Sequence, residues 1–307
     1  MEKRVIVILG PTCSGKTSLS LKLAESLKSE IISADSRQVY KILSIGTAKP
    51  SLEELSIAKH HFVDSLNPNE EFNVSKFEVE ALKVIDGLHQ QNIIPIVVGG
   101  SGLYIKAIVE GLWNDVDTDT NFRAKLLKEK DEFGNQFIYD KLVEVDPKSA
   151  ETMLPQNWKR VIRALEVFHL TGKSILEFHQ EYKRESDYKF LQFGLNWERE
   201  VLYRNIETRV DEMINAGLVY EIKSILKAGY SQDLNSLNTV GYKEIIAHLN
   251  REYDLERAIE LIKRNTRRFA KRQMTWFRKD ETIEWFGIKD RSDIEEIKKK
   301  IIQKLSG

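Results

Sequence analysis

A glycine-rich octet directly behind an apolar run constrains this chain more than any other stretch. Arg4, Val5, Ile6, Val7, Ile8 and Leu9 suit a short buried strand, and Gly10, Pro11, Thr12, Cys13, Ser14, Gly15, Lys16 and Thr17 follow as an intact G-x-x-x-x-G-K-[ST] phosphate-binding motif. A strand that enters such a turn and then a helix opens a parallel α/β sheet. The anion dictates the residue types. Gly10 and Gly15 let the backbone curl round a phosphate with successive N–H groups pointing inward, and the positive end of the following helix adds to them. Lys16 brings a mobile charge to a terminal phosphate, and the Thr17 hydroxyl suits a magnesium ion that bridges phosphate oxygens. The expectation is an α/β fold with a P-loop NTPase-like parallel sheet that binds a di- or triphosphate. Kinases, GTPases and diphosphate-displacing transferases all share this loop, so the bond that breaks must be read elsewhere.

Two later stretches lead to the same edge of such a sheet. Glu30, Ile31, Ile32, Ser33, Ala34 and Asp35 read as a second buried strand that delivers Asp35 and Ser36 at its carboxyl end. Ile93, Ile94, Pro95, Ile96, Val97 and Val98 read as a third, entering Gly99, Gly100, Ser101 and Gly102, a turn that opens a helix and admits a ligand close to the backbone. Open parallel sheets bind ligands beyond the carboxyl ends of their strands, so Asp35 is expected to face the crevice that Lys16 enters. A turn cap is the other use of an Asp-Ser pair. His60, His61, Phe62, Val63 and Asp64 read as a short strand whose two histidines point to opposite faces, which suits a structural or substrate-shaping role and not a shared metal.

The character then changes. We divide the chain into a first part of the core over residues 1–113, a mostly helical insertion over 114–188, and a return to the core over 189–307 that ends in basic helices. Asp115, Asp117 and Asp119 alternate as in a calcium loop, but Thr120 and Leu126 stand where glycine and glutamate are needed, leaving a solvated acidic linker. Residues 122–133, 136–145 and 158–171 read as helices. Within the last, Lys159, Arg160, Val161, Ile162 and Arg163 place Arg160 and Arg163 on one face suited to phosphates, with an ordinary charged face as the alternative. After a strand over 189–197, Ile206, Val210, Met213, Ile214, Leu218, Ile222 and Ile225 read as one helical stripe closing at Ala228 and Gly229. Asn238, Thr239, Val240, Gly241, Tyr242 and Lys243 form a loop entering another helix, and residues 290–305 a terminal amphipathic helix.

Lysine plus arginine and aspartate plus glutamate are balanced at 47 each, so contact with nucleic acid must come from local clustering. Such a cluster exists. From Leu261 to Lys279 there is no acidic residue, and Arg264, Arg267, Arg268, Lys271 and Arg272 share one helix side, with Arg278 and Lys279 beyond. Ile262, Phe269, Trp276 and Phe277 fall on the other side, expected to be core. Without acidic partners at helix spacings the cationic side suits a polyanion. The single cysteine, Cys13, excludes an internal disulfide and a cysteine zinc site. A strand begun by about Val5 leaves no room for a signal peptide, and no apolar run nears the roughly 18 residues of a membrane span, so a cytoplasmic protein is expected, a monomer by default.

Together, Gly10-Pro-Thr-Cys-Ser-Gly-Lys-Thr17, Asp35-Ser-Arg-Gln-Val-Tyr40, Gly46-Thr-Ala-Lys-Pro50, Val98-Gly-Gly-Ser-Gly-Leu-Tyr104, Arg163-Ala-Leu-Glu166, Val240-Gly-Tyr-Lys-Glu244 and Lys271-Arg-Gln-Met-Thr-Trp276 resemble the bacterial tRNA dimethylallyltransferase (tRNA isopentenyltransferase) family. The resemblance runs in order from the first strand to about Lys279. It implies transfer of a dimethylallyl group from dimethylallyl diphosphate to the exocyclic amine of the adenosine 3′ of the anticodon. It further implies that the loop with Lys16 and a Thr17-held magnesium stabilises the departing diphosphate, and that Asp35 is the general base. By the same similarity Asp35, Ser36, Arg37, Gln38, Ser101 and Arg123 hold the base and its neighbours. Lys159, Arg160, Val161, Ile162, Arg163, the 238–243 loop and the basic stretch that includes Arg268, Lys271, Arg272 and Arg278 meet the anticodon arm, which the helical insertion grips from the other side. Ser101 stands where the family pattern leads us to expect threonine, and Cys13 where alanine is common; both changes are small. Three other readings stand beside this one. A small-molecule kinase or NTPase would leave the basic stripe idle, an adenylate isopentenyltransferase would not need it, and a binding module with a degenerate loop conflicts with an intact Lys16 and Thr17.

Overall fold

The computed structural model describes residues 2–113, 116–181, 184 and 186–306; Asp115 and the boundary drawn at residue 114 lie outside them. The apolar run behind the glycine octet forms the central strand. β1 (Lys3–Leu9) shares a six-stranded sheet of order β3-β2-β4-β1-β5-β6 with β2 (Ile31–Ala34), β3 (His60–His61), β4 (Ile96–Gly99), β5 (Tyr188–Trp197) and β6 (Glu284–Ile288). Every pairing is parallel. All six carboxyl ends therefore reach one edge, where Leu9 stands level with Gly99 and Gly194. Thirteen α-helices occur among the described residues: α1 (Lys16–Leu27), α2 (Leu52–Ile57), α3 (Val74–Gln90), α4 (Gly102–Glu110), α5 (Thr120–Val145), α6 (Pro147–Glu151), α7 (Trp158–Thr171), α8 (Ile175–Glu181), α9 (Arg199–Asn215), α10 (Leu218–Lys227), α11 (Tyr242–Leu249), α12 (Leu255–Phe277) and α13 (Asp293–Ser306). None is long and apolar enough to cross a membrane.

The chain divides into two compact units, Met1–Val109 with Ser186–Gly307, and Glu110–Glu185. The first holds the sheet. β1, β2 and β4 are largely buried on both faces, which is why they read as unbroken apolar runs. On one face Ile6 and Ile8 meet Leu19 and Leu23 of α1 and Ile294, Ile297 and Ile301 of α13. On the other, Val5, Val7 and Leu9 meet Phe77, Ala81 and Ile85 of α3 and Tyr104, Ile105 and Ile108 of α4. Each valine, leucine, isoleucine and phenylalanine among them, fully buried, contributes about 1.5–3 kcal/mol, so the site stands on a well-packed base. A further core joins Val39, Tyr40 and Leu43 to Val210, Leu218, Ile222, Tyr242 and Ile262, fixing α9 to α12 beside the loop that follows β2.

Three features differ from the sequence expectation. The strand at residues 60–64 stops at His61, because Phe62 (φ 63°) and Asp64 (φ 51°) turn the chain. The stripe expected as one helix is two, α9 and α10, separated where Gly217 takes left-handed backbone (φ 97°) and starts α10. β6 was not expected at all; it adds Trp285, Phe286 and Ile288 to the edge of β5.

Helices joined by short connections, with no strand, make up the described residues of the second unit. Gly134 (φ 87°, ψ 174°) interrupts α5, so its two segments match the helices expected over 122–133 and 136–145. Leu126, Ile138, Leu142, Val161, Ile162 and Leu165 form its core.

Candidate active site

The turn between β1 and α1 is shaped to surround an anion. Cys13 (φ 63°) and Gly15 (φ 90°) both take left-handed backbone, and α1 starts at Lys16 with no side chain capping it. For Cys13 this is a strain of about 1–3 kcal/mol, of the kind concentrated at functional sites. The N–H groups of Cys13, Ser14, Gly15, Lys16 and Thr17 find no protein acceptor among the described residues. The Trp197 indole donates to the Ser14 carbonyl at 3.0 Å, and Ser14 Oγ is buried without a partner. The buried, unpaired Ser14 Oγ costs about 1–3 kcal/mol, and the unpaired N–H groups around it suit an anionic ligand.

Lys16 Nζ donates to the Pro11 carbonyl at 2.6 Å. Burial pushes its ammonium down to about 8, with Arg209 adding to the shift while Cys13 and Asp35 oppose it. Arg209, on α9, has no ion partner among the described residues and lines the same cavity of about 420 Å³ as Lys16, Thr17 and Asp35. No group of three or more His, Cys, Asp or Glu gathers into a metal cage among the described residues. Magnesium held by one hydroxyl and by phosphate oxygens needs none, and the hard oxygens of Thr17 and Asp35 on one cavity fit it. His60 lines this cavity too, its Nδ1 donating to the Ala58 carbonyl at 2.8 Å and its pKa lowered by burial, while His61 faces Glu30 at 2.6 Å.

Asp35 serves both uses open to it in the sequence. Its Oδ1 caps the turn after β2, accepting from the N–H groups of Arg37 (2.8 Å) and Gln38 (3.3 Å). Its Oδ2 has no protein partner among the described residues. Asp35 also lines a second cavity, about 330 Å³, which shares Thr12, Cys13, Arg209 and Phe269 with the first and is bounded beyond them by Ser36, Arg37, Ser101, Asn238, Thr239, Val240, Gly241, Lys243 and Arg272. Around it, the Ser36 N–H donates to Ser101 Oγ at 3.3 Å, and the Arg37 guanidinium donates to the carbonyls of Asn235 (2.6 Å) and Asn238 (3.5 Å). Gln38 Nε2 holds the carbonyls of Thr47 and Ala48 at 3.3 and 3.1 Å. The side chains of Arg37 and Gln38 thus join three loops around Asp35.

α12 borders both cavities through Phe269 and the second through Arg272. Its buried face is Ala258, Ile262, Ala270, Gln273 and Phe277. Phe269 and Trp276, expected in the core, are instead 39% and 45% exposed. Ala270 and Gln273 occupy the contact side, which leaves the two aromatics on its flanks, where the Arg272 guanidinium lies 5.7 Å from the Phe269 ring. The acidic partners that residues 261–279 lack along the helix come from α9 for two of the cations: Lys263 pairs with Asp211 and Arg267 with Glu207, each at 2.6 Å. Arg268, Lys271, Arg272 and Arg278 are exposed with no ion partner among the described residues.

Residues 38–280 match the IPP transferase family. Over 286 residues the chain is 47% identical to a tRNA dimethylallyltransferase from Halothermothrix orenii, a match that spans 92% of this chain and 87% of that one. The chain belongs to the IPP transferase family. It is also 44% identical to a tRNA dimethylallyltransferase from Alkaliphilus metalliredigens, over 95% of this chain and 94% of that one. Its structure is similar to that of the full-length tRNA isopentenylpyrophosphate transferase of Bacillus halodurans, with a TM-score of 0.73, 39% identity, and 99% and 97% of the two chains covered. A eukaryotic dimethylallyltransferase acting on tRNA gives a TM-score of 0.81 at 30% identity, over 97% of this chain and 77% of that one.

Other candidates have places in this transferase fold that their spacing did not disclose. Tyr242 is wholly buried and donates to Glu221 Oε1 at 2.6 Å, so its side chain supports the 44–46 loop and does not reach a nucleic acid. Glu221 also accepts from the N–H groups of Ser44 (3.0 Å), Ile45 (2.7 Å) and Gly46 (3.3 Å). Burial, then Glu221, raises the Tyr242 phenol above its ordinary range. In the helical unit Val161 and Ile162 are core residues, a correction to their reading as contacts. Arg123 and Arg163 both donate to Oε2 of the fully buried Glu166, at 2.6 and 2.7 Å, so Arg163 does not join Arg160 on a solvent face. Lys159 and Arg160 are exposed. Sequence reasoning passed over Arg209, Trp197 and Gln273. Nothing marks Arg209 in the sequence beyond its place beside Val210, but Gln273 shares the periodicity of the buried Ala270 and Phe277, and a polar residue there was a legible signal.

Proposed function

We propose that this chain transfers a dimethylallyl group from dimethylallyl diphosphate to the N6 amine of the adenosine immediately 3′ of the anticodon in tRNA, releasing diphosphate. One observation carries the proposal. The phosphate loop and Asp35 open on two cavities with a common wall, one holding Lys16, Thr17 and Arg209 and the other bounded by Asn238, Lys243 and Arg272. A diphosphate and a nucleobase can meet at Asp35 from different cavities. The names of the relatives, and the eukaryotic neighbour acting on tRNA, support the choice of donor and acceptor.

The free N–H groups of the loop, Lys16 and Arg209 bind the diphosphate, and their attraction grows as its bond to the allylic carbon breaks and charge gathers on the leaving oxygen. Magnesium, when held on Thr17 Oγ, supplies further charge to those oxygens. An adenine amine is a weak nucleophile because its lone pair is delocalised into the ring. Asp35 Oδ2 accepts its proton as the N–C bond forms, while Oδ1, held by two backbone N–H groups, keeps the carboxylate oriented. The base leaves its stack to reach Asp35. Arg268, Lys271, Arg272 and Arg278, with Lys159 and Arg160 of the helical unit, meet RNA phosphates. We take the enzyme to work as a monomer in the cytoplasm, where this substrate is met.

Single-turnover incubation with labelled dimethylallyl diphosphate, magnesium and either unmodified tRNA or AMP tests the proposal. Label on tRNA alone is expected. Label on AMP alone would make the chain an adenylate isopentenyltransferase, and no label with either would return it to the kinases. Asp35→Ala is expected to slow transfer by roughly 10²–10⁴-fold with tRNA affinity held within a few-fold, as for loss of a proton acceptor.

A further inference from the structure

Gln273 joins the cationic surface of α12 to the phosphate loop. It is buried, and both ends of its amide are engaged by backbone. Oε1 accepts the Thr12 N–H at 2.9 Å, and Nε2 donates to the Gly100 carbonyl at 2.9 Å. A Cβ at residue 100 would stand 2.3 Å from that Nε2, so the glycine makes room for the amide. Gln273 lines the first cavity, while its neighbour Arg272 lines the second and Lys271 is exposed beside it.

The chemistry of the two partners restricts what can stand here. Pro11 has no N–H, so Thr12 carries the first donor after Gly10, and it is turned to Gln273 while the next five donors find no protein acceptor among the described residues. The turn at Gly100 presents an acceptor. A planar amide offers an acceptor and a donor together; a carboxylate offers only the first, and places a negative charge beside a diphosphate site.

We propose that Gln273 is a positioning residue for the transfer. It holds the phosphate loop in register with the turn over residues 99–102, and does so from the helix that meets the RNA, so that the donor cavity keeps its shape when α12 is loaded. The loop half of this needs only a diphosphate ligand; the α12 half rests on the transferase function proposed above.

The full chain, Gln273→Met and Gln273→Glu would be compared by calorimetric titration with inorganic diphosphate and magnesium, by tRNA binding, and by steady-state kinetics. In Gln273→Met the diphosphate dissociation constant and the KM for dimethylallyl diphosphate are expected to rise about tenfold, the scale of buried backbone groups left unpaired, with tRNA affinity within about twofold. Gln273→Glu is expected to be as weak at about pH 8, and to recover relative to wild type toward about pH 6, because a protonated carboxyl restores both bonds and burial raises its pKa. Altered packing alone would not titrate. Wild-type diphosphate affinity in both variants overturns the assignment, as does a Gln273→Glu deficit that ignores pH; if Gln273→Met does not fold, the Glu series decides. A tenfold loss of diphosphate affinity in a chain whose wild type fails to bind tRNA would leave the loop clamp standing and remove the α12 half together with the transferase function.

Discussion

Two helices of this chain carry dense basic runs, and they put them to different uses. In α7, Arg163 closes on Glu166 one turn later and is joined there by Arg123, so two of the expected RNA contacts neutralise one buried carboxylate. In α12, Lys263 and Arg267 find Asp211 and Glu207 on α9, whereas Arg268, Lys271 and Arg272, with Arg278 just past its end, stay exposed with no ion partner among the described residues. Both runs have helical spacing, and spacing determines only the face. What a cation does there depends on whether the fold brings a carboxylate within reach, and that partner can lie anywhere in the sequence.

Removing the partner is the strongest way to break the contrast. Glu166→Ala leaves two arginines at a buried site with no counter-charge. The loss is expected at about 2–4 kcal/mol, below the about 3–5 of a fully buried pair because both arginines are partly exposed. Urea unfolding followed by a probe in the helical unit would measure it. Unchanged stability would mean that Glu166 does not hold them, and Arg123 and Arg163 would again be available to RNA.

The matching change on α12 acts on binding and not on stability. Arg268→Ala with Arg272→Ala is expected to weaken tRNA binding by roughly 10–100-fold at low salt and to lower the slope of log affinity against log salt by about 1.4–1.8, the release of two phosphate contacts. Arg123→Ala with Arg163→Ala is expected to leave that slope alone. Titrations at four salt concentrations separate the two helices; equal slopes for both pairs would erase the distinction.

How much of this could be read beforehand follows from the range of the forces involved. The phosphate loop, β1, β2 and β4 were legible because strand, turn and helix signals there lie within a few residues of one another. Asp35 was legible as a residue of the site edge, and its double use follows from its turn. β6 was missed because a five-residue edge strand that includes Glu284 and Gly287 and is mostly half-buried carries a weak pattern. Gly217 was missed because an apolar stripe continues in phase across it; only its left-handed backbone divides the helices. The fates of Arg123 and Arg163, and of Phe269 and Trp276, were not legible, since each is decided by what packs opposite.

Lys16 is a third kind of cation, half-buried and turned toward a backbone carbonyl with no carboxylate bonded to it among the described residues. Burial has brought its pKa to about 8, and a bound diphosphate would raise it again. Binding above about pH 8 must then take up a proton, so affinity is expected to fall up to about tenfold per pH unit there and to be flat, as far as Lys16 is concerned, below it. The ratio of wild type to Lys16→Arg, which stays charged, cancels the ligand's own ionisation. A ratio independent of pH between about 7 and 9.5 would mean that Lys16 keeps its proton without the ligand.

The smallest effect lies at the inner end of α12 and asks where its free surface begins. The Lys263–Asp211 pair is short, at 2.6 Å, but the Asp211 side chain is 53% exposed, so the pair contributes about 0.2–1 kcal/mol. Lys263→Ala is expected to change stability by that amount and tRNA affinity by less than about twofold. Asp211→Ala is the sharper experiment, because it releases Lys263 without moving it along the helix. If the salt slope steepens by about 0.7–0.9, Lys263 has become one more phosphate contact and the neighbour on α9 alone kept it from that role. If the slope does not move, Lys263 lies beyond the RNA, and the contacting surface of α12 begins at Arg268.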